Sequence, residues 1–257
     1  MANEYLFGKG SVMVAERDAN GSVSKVLYVG NCPELKVSGS VDRIKHYESE
    51  SGVNRQDRNI VKTSEMEFSL VTENISNDNL ALIFWGGNAT IDGDTAQVHT
   101  FPTGIVAGET HIVPNAFALT PTFLKDSAGT PATVATTKYE LNNDFGTIKF
   151  LDVAGFTQPF KLTYDTADVA SVPFLTTQSP TRFIRFNGFN LANPGIGVPQ
   201  KFVVELYLAQ FDLPSDVSFI GDDFGKFEMK GALQLDETRS SNSDLGGYGR
   251  IIKIPVS

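Results

Sequence analysis

Most periodic segments of this 257-residue chain alternate apolar and polar residues in steps of two. The segment Lys62–Glu73 is an example, since Met66, Phe68 and Leu70 share one face and the residues between them are polar. Successive strand side chains point to opposite faces, so this alternation predicts strands with one face in the core. Gly, Pro, Asn and Asp punctuate these segments and predict tight turns. The chain is therefore expected to be all-β, with 19 Phe supplying much of the core.

Two local motifs add detail to this prediction. Asn20-Gly21 lies between two alternating segments, and this dipeptide accepts the positive φ angles of a tight hairpin turn. Residues from about 76 to 85 predict one short α-helix, because Ser76 can cap its start, an apolar stripe follows, and Gly86 supplies a stop. The expected architecture is a β-sandwich or barrel-like fold with this helix packed on it.

Composition divides the chain into three parts. Residues 1–94 and 181–257 carry the longer alternating strands and predict the N-terminal and C-terminal parts of one β-sandwich. Residues 95–180 open on a stretch rich in Gly, Thr and Pro and then carry short strands of their own. They predict a small inserted β-module.

The segment 38–59 has the composition of a long projecting loop. It is charged, sparse in apolar residues, and set between two alternating segments. A compact domain rarely keeps a connection of this length unless it binds something. Four acidic residues face four basic ones, a balance that suits a protein partner better than a polyanion. The predicted docking residues are Asp42, Arg43, Lys45, His46, Glu48, Glu50, Arg55, Asp57 and Arg58.

Charge and cysteine content exclude several classes of protein. A formal net charge of −9 disfavours a conventional nucleic-acid binder, because tight binding places Lys and Arg against phosphates. No apolar run reaches the roughly 20 residues of a membrane helix, and the start lacks the features of a signal peptide, so synthesis in a cytoplasm is expected. The single cysteine, Cys32, has no partner for an internal disulfide.

The chemistry of common active sites is mostly absent from the sequence. Only three histidines are present, no pair of His or Cys has zinc-ligand spacing, and no nucleophile elbow occurs. Asp92 with Asp94, and Asp222 with Asp223, fit turns better than calcium loops. We therefore expect no enzyme activity, no cofactor and no metal site, although a carboxylate pair distant along the chain stays open.

The order of motifs from Val29 to Gly86 resembles that of the major tail tube proteins of tailed bacteriophages. A strand ends in a glycine and a polar turn, and a second strand follows it. A long polar loop comes next, with its core at His46–Gly52. A further strand then ends in Thr72-Glu73, and a short helix carries Asn79-Leu80-Ala81. The C-terminal strands also look like the closing strands of larger members of that family.

The resemblance implies a structural virion protein. Its protomers would form hexameric rings that stack into a tail tube, through which DNA reaches the host cell. Its partners would be other copies of itself, a tape-measure protein, tail tip and terminator proteins, and genomic DNA in transit without specific binding. The loop would dock on a neighbouring subunit, and the face carrying Glu65 and Glu67 would line the lumen. The inserted module and the chain length favour a non-contractile tail.

Two other functions stay open at this stage. One is a ring-forming tail terminator or distal tail adaptor with the same fold. The other is a carbohydrate-binding β-sandwich that stacks sugars on Trp85, although that residue lies at the apolar helix, where core packing is the more common use. A membrane partner is not expected.

Overall fold

The all-β prediction is confirmed by the structure, a computed structural model that describes residues 5–18, 21–50, 52–192 and 199–255. Strands make up 48% of it and helices 6%. Neither helix within these ranges has the length and hydrophobicity that a bilayer-spanning helix requires.

Sixteen strands and two helices occur in the described ranges. The strands are β1 (Gly8–Arg17), β2 (Val23–Tyr28), β3 (Glu34–Glu48), β4 (Arg55–Thr72), β5 (Ala89–Ile91), β6 (Gln97–Thr100), β7 (Thr110–Ile112), β8 (Thr120–Lys125), β9 (Tyr139–Asn142), β10 (Thr147–Phe150), β11 (Lys161–Asp165), β12 (Val169–Ser171), β13 (Thr181–Asn190), β14 (Gln200–Phe211), β15 (Phe227–Leu233) and β16 (Gly249–Ile254). The helices are α1 (Asn77–Ile83) and α2 (Glu237–Ser240), and a 3-10 turn covers Thr136–Lys138.

The chain forms two compact units. The first comprises Met1–Asn88 with Val172–Ser257, and the second comprises Ala89–Ser171. The second unit begins and ends earlier than the predicted module at 95–180. The short strand β5 pairs with β12 and brings the two ends of this unit together. Three-residue strands are too short to leave an alternation in the sequence, so composition alone located the boundaries later.

The first unit is built on one antiparallel sheet in the order β2-β1-β13-β14-β15-β4-β3, with β16 also paired to β14. One edge of β14 is shared, because β16 pairs with its first half and β15 with its last three residues. The rings of Phe68 on β4 and Phe211 on β14 meet edge to face at 5.0 Å. The core collects Val12, Val14, Phe68, Leu70, Ile184, Leu206, Phe211 and Met229.

Helix α1 is shorter than predicted. The Ser76 hydroxyl accepts a hydrogen bond from the Asn79 amide at 3.3 Å, which is the predicted N-cap. The helix ends at Ile83, because Trp85 takes a positive φ of 49°. Gly86 then passes so close to Pro173 that a Cβ would lie 2.2 Å from the carbonyl oxygen of that residue. Trp85 is therefore beyond the helix and not on it.

A buried polar cluster joins the end of β4, the start of α1 and the segment after β2. The Thr72 hydroxyl donates to the Val29 carbonyl oxygen at 2.9 Å. The Asn79 side-chain amide donates to the Val29 carbonyl at 3.0 Å and to the Asn74 carbonyl at 2.8 Å. Thr72 and Asn79 are both fully buried. They belong to the motif series quoted above, and here they hold three chain segments together.

The first hairpin joins β1 and β2 as predicted, and the Gly21 amide donates to the Asp18 carbonyl at 3.0 Å. Gly21 has a φ of 82°, the conformation for which this residue was predicted. Asn20, the other half of the predicted turn dipeptide, lies outside the described residues.

The second unit contains two three-stranded antiparallel sheets, β7-β10-β9 and β6-β11-β8, besides the β5-β12 pair. Its core is aromatic. Phe150 stacks on Phe160 with centroids 4.9 Å apart and meets Phe101 edge to face at 5.4 Å. Such aromatic pairs stabilise a core beyond their buried area.

His99 in the second unit is expected to make stability depend on pH. Its ring lies edge to face with Phe101, with centroids 4.6 Å apart. Burial, followed by the charge of His111, holds the pKa of His99 below its ordinary value. The unfolded chain therefore takes up this proton more readily than the folded chain. The free energy of unfolding should decrease as the pH falls below the unfolded pKa of about 6.5, and should be unaffected by this group well above it.

Thermal melts at about pH 7.5 and about pH 5.5 test this expectation. The variant His99→Gln should lose less stability between the two pH values than the wild type, and the variant Asn143→Gln, at an exposed residue that carries no titrating group, should behave like the wild type. Glu109, which lies 3.3 Å from His111, is present in all three proteins and contributes equally. Equal losses in His99→Gln and wild type would contradict the assignment.

Candidate assembly surface

The predicted loop at 38–59 is wrong, because the structure forms a long hairpin there. Strands β3 and β4 pair in antiparallel register from Glu34 opposite Val71 to Glu48 opposite Arg55. The predicted docking residues therefore lie in strands, except Glu50 at the turn. The alternation is lost because both faces of this hairpin are exposed, so no buried side selects apolar residues at every second position. Five β-branched or aromatic residues, at 41, 44, 47, 60 and 61, were the available strand signal.

The outer part of this hairpin, residues 40–65, stands apart from the sheet, and we call it the arm. Strand β3 is the edge strand of the sheet, and on its other edge β4 pairs with β15 only from Met66 to Thr72. Both edges of the arm are thus without a described neighbouring strand. From Ser40 to Glu48 the arm extends roughly 26 Å at the usual rise of a strand.

Large apolar side chains are exposed along the arm. Ile44 and Ile60 lie directly opposite each other, and their exposed fractions are 56% and 57%. Val41, Tyr47 and Val61 are exposed to a similar extent. Cross-strand pairs of this kind normally stabilise a sheet by packing against a further layer. In the described structure, the first unit provides no such layer over the arm.

Two β-bulges interrupt the register of the arm. Lys62 is the extra residue between the pairs Asp42–Thr63 and Arg43–Val61, and Asp57 is the extra residue further out. Each carries a charge that meets the neighbouring strand. Lys62 Nζ lies 3.5 Å from an Asp42 carboxylate oxygen. Bulges bend a strand and increase its local twist, so these two residues determine the bend and twist of the arm.

Some charged residues of the arm contact one another. His46 Nδ1 lies 2.6 Å from Asp57 Oδ1, and this hydrogen bond holds the pKa of the Asp57 carboxyl below its ordinary value. Glu48 Oε2 accepts a hydrogen bond from the Glu50 amide at 3.0 Å. Arg55 lies opposite Glu48. The structure thus brings the predicted docking residues together on one exposed element.

Glu65 and Glu67, the candidate lumen residues, lie on the exposed side of β4 where the arm begins. Ser40 lies opposite Glu65, and Ser38 lies opposite Glu67. On its other side, Glu67 has Ala232 of β15 as its neighbour. The cross-strand neighbours of both carboxylates are therefore uncharged.

The other candidates in the sequence offer less chemistry. Across the part of the chain that the structure describes, no group of three or more His, Cys, Asp or Glu is arranged to hold a metal ion. Trp85 is partly buried, and its indole Nε1 is buried with no hydrogen-bond partner in the described residues. That position does not favour stacking on a sugar. Cys32 donates to the Val71 carbonyl at 2.9 Å, and burial raises the pKa of its thiol to about 12.

These features define an all-β protein with a projecting two-stranded arm. The chain belongs to the family described as Protein of unknown function UCP028589, whose model matches residues 5–252. The matched region includes the arm and most of both compact units. No curated protein matches the sequence.

Proposed function

We propose that this protein is a structural subunit that assembles with copies of itself through the arm. The observation that carries the proposal is that a two-stranded ribbon has both faces and both edges uncovered in the described structure. An isolated hairpin is marginally stable in water, and long open edges readily pair with other strands. A partner that covers the ribbon stabilises the hairpin and leaves no open edge for other strands to pair with.

The particular assembly we propose is the tail tube of a bacteriophage, built from stacked hexameric rings in the virion tail. The motif series quoted above supports this. The described residues of its loop core, His46–Gly52, lie at the outer end of the arm. Thr72, at the end of β4, and Asn79 both donate hydrogen bonds to the Val29 carbonyl oxygen. The tape-measure, tip and terminator proteins would be further partners, and DNA would pass without specific binding. A ring at the tail terminus is the alternative, distinguished by a far lower copy number.

The charges of the arm suit a contact that selects its partner. Five acidic and five basic residues balance one another. Interfacial charges of this kind set register and exclude wrong partners more than they add affinity. Glu65 and Glu67 would face the lumen in this proposal, where carboxylates repel the phosphates of DNA.

Electron microscopy of the purified protein tests the proposal directly. Negative-stain images at rising concentration should show rings or tubes, and sedimentation should show species far larger than 27.9 kDa. A protein that stays monomeric at high concentration, and that is absent from any virion tail, would refute it.

Reversing two charges on the arm is expected to weaken assembly without unfolding the protein. In Arg55→Glu/Arg58→Glu, the reversal at Arg55 sets like charges opposite Glu48, and the arm loses the balance that selects its partner. We expect assembly to require a roughly tenfold higher concentration. Lys149→Glu/Lys161→Glu in the second unit makes the same change of net charge and serves as the control. If melting temperature falls in step with assembly, the arm charges act on the fold instead.

A further inference from the structure

A second apolar surface of the first unit lies in the loop between β14 and β15, residues 212–226, which we call the apolar loop. The exposed fraction is 93% for Ile220 and 84% for Phe224. Single exposed apolar residues are common, but two large ones in a short loop mark an interaction site. The loop also carries four Asp and one Lys, so it is acidic.

The apolar loop makes two short-range hydrogen bonds and one ring contact. The Ser218 hydroxyl donates to the Ile220 carbonyl oxygen at 2.8 Å, and the Phe224 amide donates to Asp223 Oδ1 at 2.8 Å. The Phe219 ring lies 6.5 Å from the ring of buried Phe227, which anchors the loop to β15. Ile220 and Phe224 lie on either side of the bend at Asp222 and Asp223, and both stay exposed.

The first unit also contains an apolar cleft that can receive such a loop. Its volume is about 560 Å³, and it opens where β1, β3 and β14 begin. The apolar lining includes Leu35, Val37, Phe186, Phe202, Val204 and Ile251. Lys9 and Lys253 are among the described lining residues, and Glu34, the one carboxylate in that described lining, lies 2.6 Å from Lys36. Basic groups around an apolar cleft complement an acidic loop with an apolar tip.

The loop does not occupy the cleft of its own chain. The cleft is lined by the first residues of β14, from Gln200 to Val204, whereas the loop follows Phe211 at the other end of that strand. Gln200 and Phe211 are roughly 36 Å apart at the usual rise of a strand. Ile220 and Phe224 are almost fully exposed and are not among the lining residues.

We propose that Ile220 and Phe224 of one copy insert into this cleft of the next copy, in a head-to-tail contact. The inference rests on the proposed function, because it names a second contact in the same self-assembly. Such a contact joins two different surfaces, so each copy keeps one free loop and one free cleft. Contacts of this kind build rings when the rotation closes and open stacks or filaments when it does not.

The test uses two full-length variants, each with one surface disabled. Ile220→Glu disables the loop, and Ile251→Glu disables the cleft at a residue that is 70% exposed, so that folding tolerates the change. Phe145→Glu, at an equally exposed residue of the second unit, is the matched control. Oligomeric state is measured by sedimentation velocity, and folding by circular dichroism.

Each disabling variant alone should need at least about a tenfold higher concentration to associate than wild type or Phe145→Glu. Mixed together, the two variants should associate at a lower concentration than either does alone, because one intact loop and one intact cleft remain between them. The inference would be overturned if Ile220→Glu assembled like wild type. It would also be overturned if the mixture needed as high a concentration to associate as either variant alone. Neither result would affect the proposed function. Wild type that stays monomeric would overturn both. Saturable binding of a small apolar compound in the cleft with unchanged assembly would assign the cleft to a ligand and also overturn it.

Discussion

Shortening the arm is expected to abolish assembly and leave the monomer folded. Replacing residues 43–62 with Asn-Gly places a two-residue turn directly between Asp42 and Thr63, which are opposite each other in the register. The described residues among those deleted are exposed, except the partly buried Glu48, and none belongs to the core of the first unit. The free energy of unfolding should therefore change by less than about 1 kcal/mol. Sedimentation and negative-stain microscopy should show no rings or tubes.

A second variant separates the reach of the arm from its apolar contact. Ile44→Ser/Ile60→Ser keeps the length and the charges of the arm but removes its exposed cross-strand pair. It should weaken assembly at least about tenfold, as loss of an interface anchor does. A shortened arm that still assembles would exclude the arm as the contact. If the variant with the shortened arm had a melting temperature far below that of wild type, the arm would be part of the fold.

The largest effect on stability is expected at Asn79. In Asn79→Leu the Val29 carbonyl oxygen keeps only its bond from Thr72, and the partly buried Asn74 carbonyl oxygen loses its bond from the Asn79 side chain. A buried acceptor left without a partner costs about 1–3 kcal/mol. Removing the Asn79 Oδ1 atom, which is buried without a partner among the described residues, offsets part of that cost. The net loss in the free energy of unfolding should be about 2 kcal/mol.

Urea denaturation measures this loss. Asn88→Ala is the control, since Asn88 is exposed, and its effect should stay below about 0.5 kcal/mol. Thr72→Val should also lower the free energy of unfolding, because the Val29 carbonyl oxygen then keeps only its bond from Asn79 and the Asn74 amide loses the Thr72 hydroxyl as its acceptor. Equal stability of Asn79→Leu and wild type would show that the cluster does not hold the three segments together.

The sequence predicts an element well where one side of that element is buried. Met66, Phe68 and Leu70 alternate because their side of β4 faces the core, and Ser76 marks a helix start through its own hydrogen bond. The prediction of a loop at residues 38–59 is wrong because both faces of these strands are exposed, which removes the alternation that indicates a strand. A strand of this kind is specified by its partner strand and by β-branched residues, which a count of charges conceals.

The sequence does not indicate the apolar surface of the loop at 212–226, for a different reason. Asp222 and Asp223 indicate a turn, and turns are typically polar, so the sequence pattern there gives no sign that Ile220 and Phe224 form an exposed apolar surface. Apolar residues within a turn between two strands were the available signal. The cleft has no sequence signal of its own, because its lining comes from β1, β3, β13, β14 and β16 and meets only in the fold.

Strand β14 gives the first unit a direction, with a cleft at its beginning and an apolar loop after its end. A row of copies joined loop to cleft is polar, since one terminus presents vacant clefts and the other presents bare loops. Growth at the two termini then proceeds at different rates. A single capping protein is unable to stop both, so an assembly of defined length requires two chemically distinct caps, one acidic and apolar and the other shaped as a basic cleft.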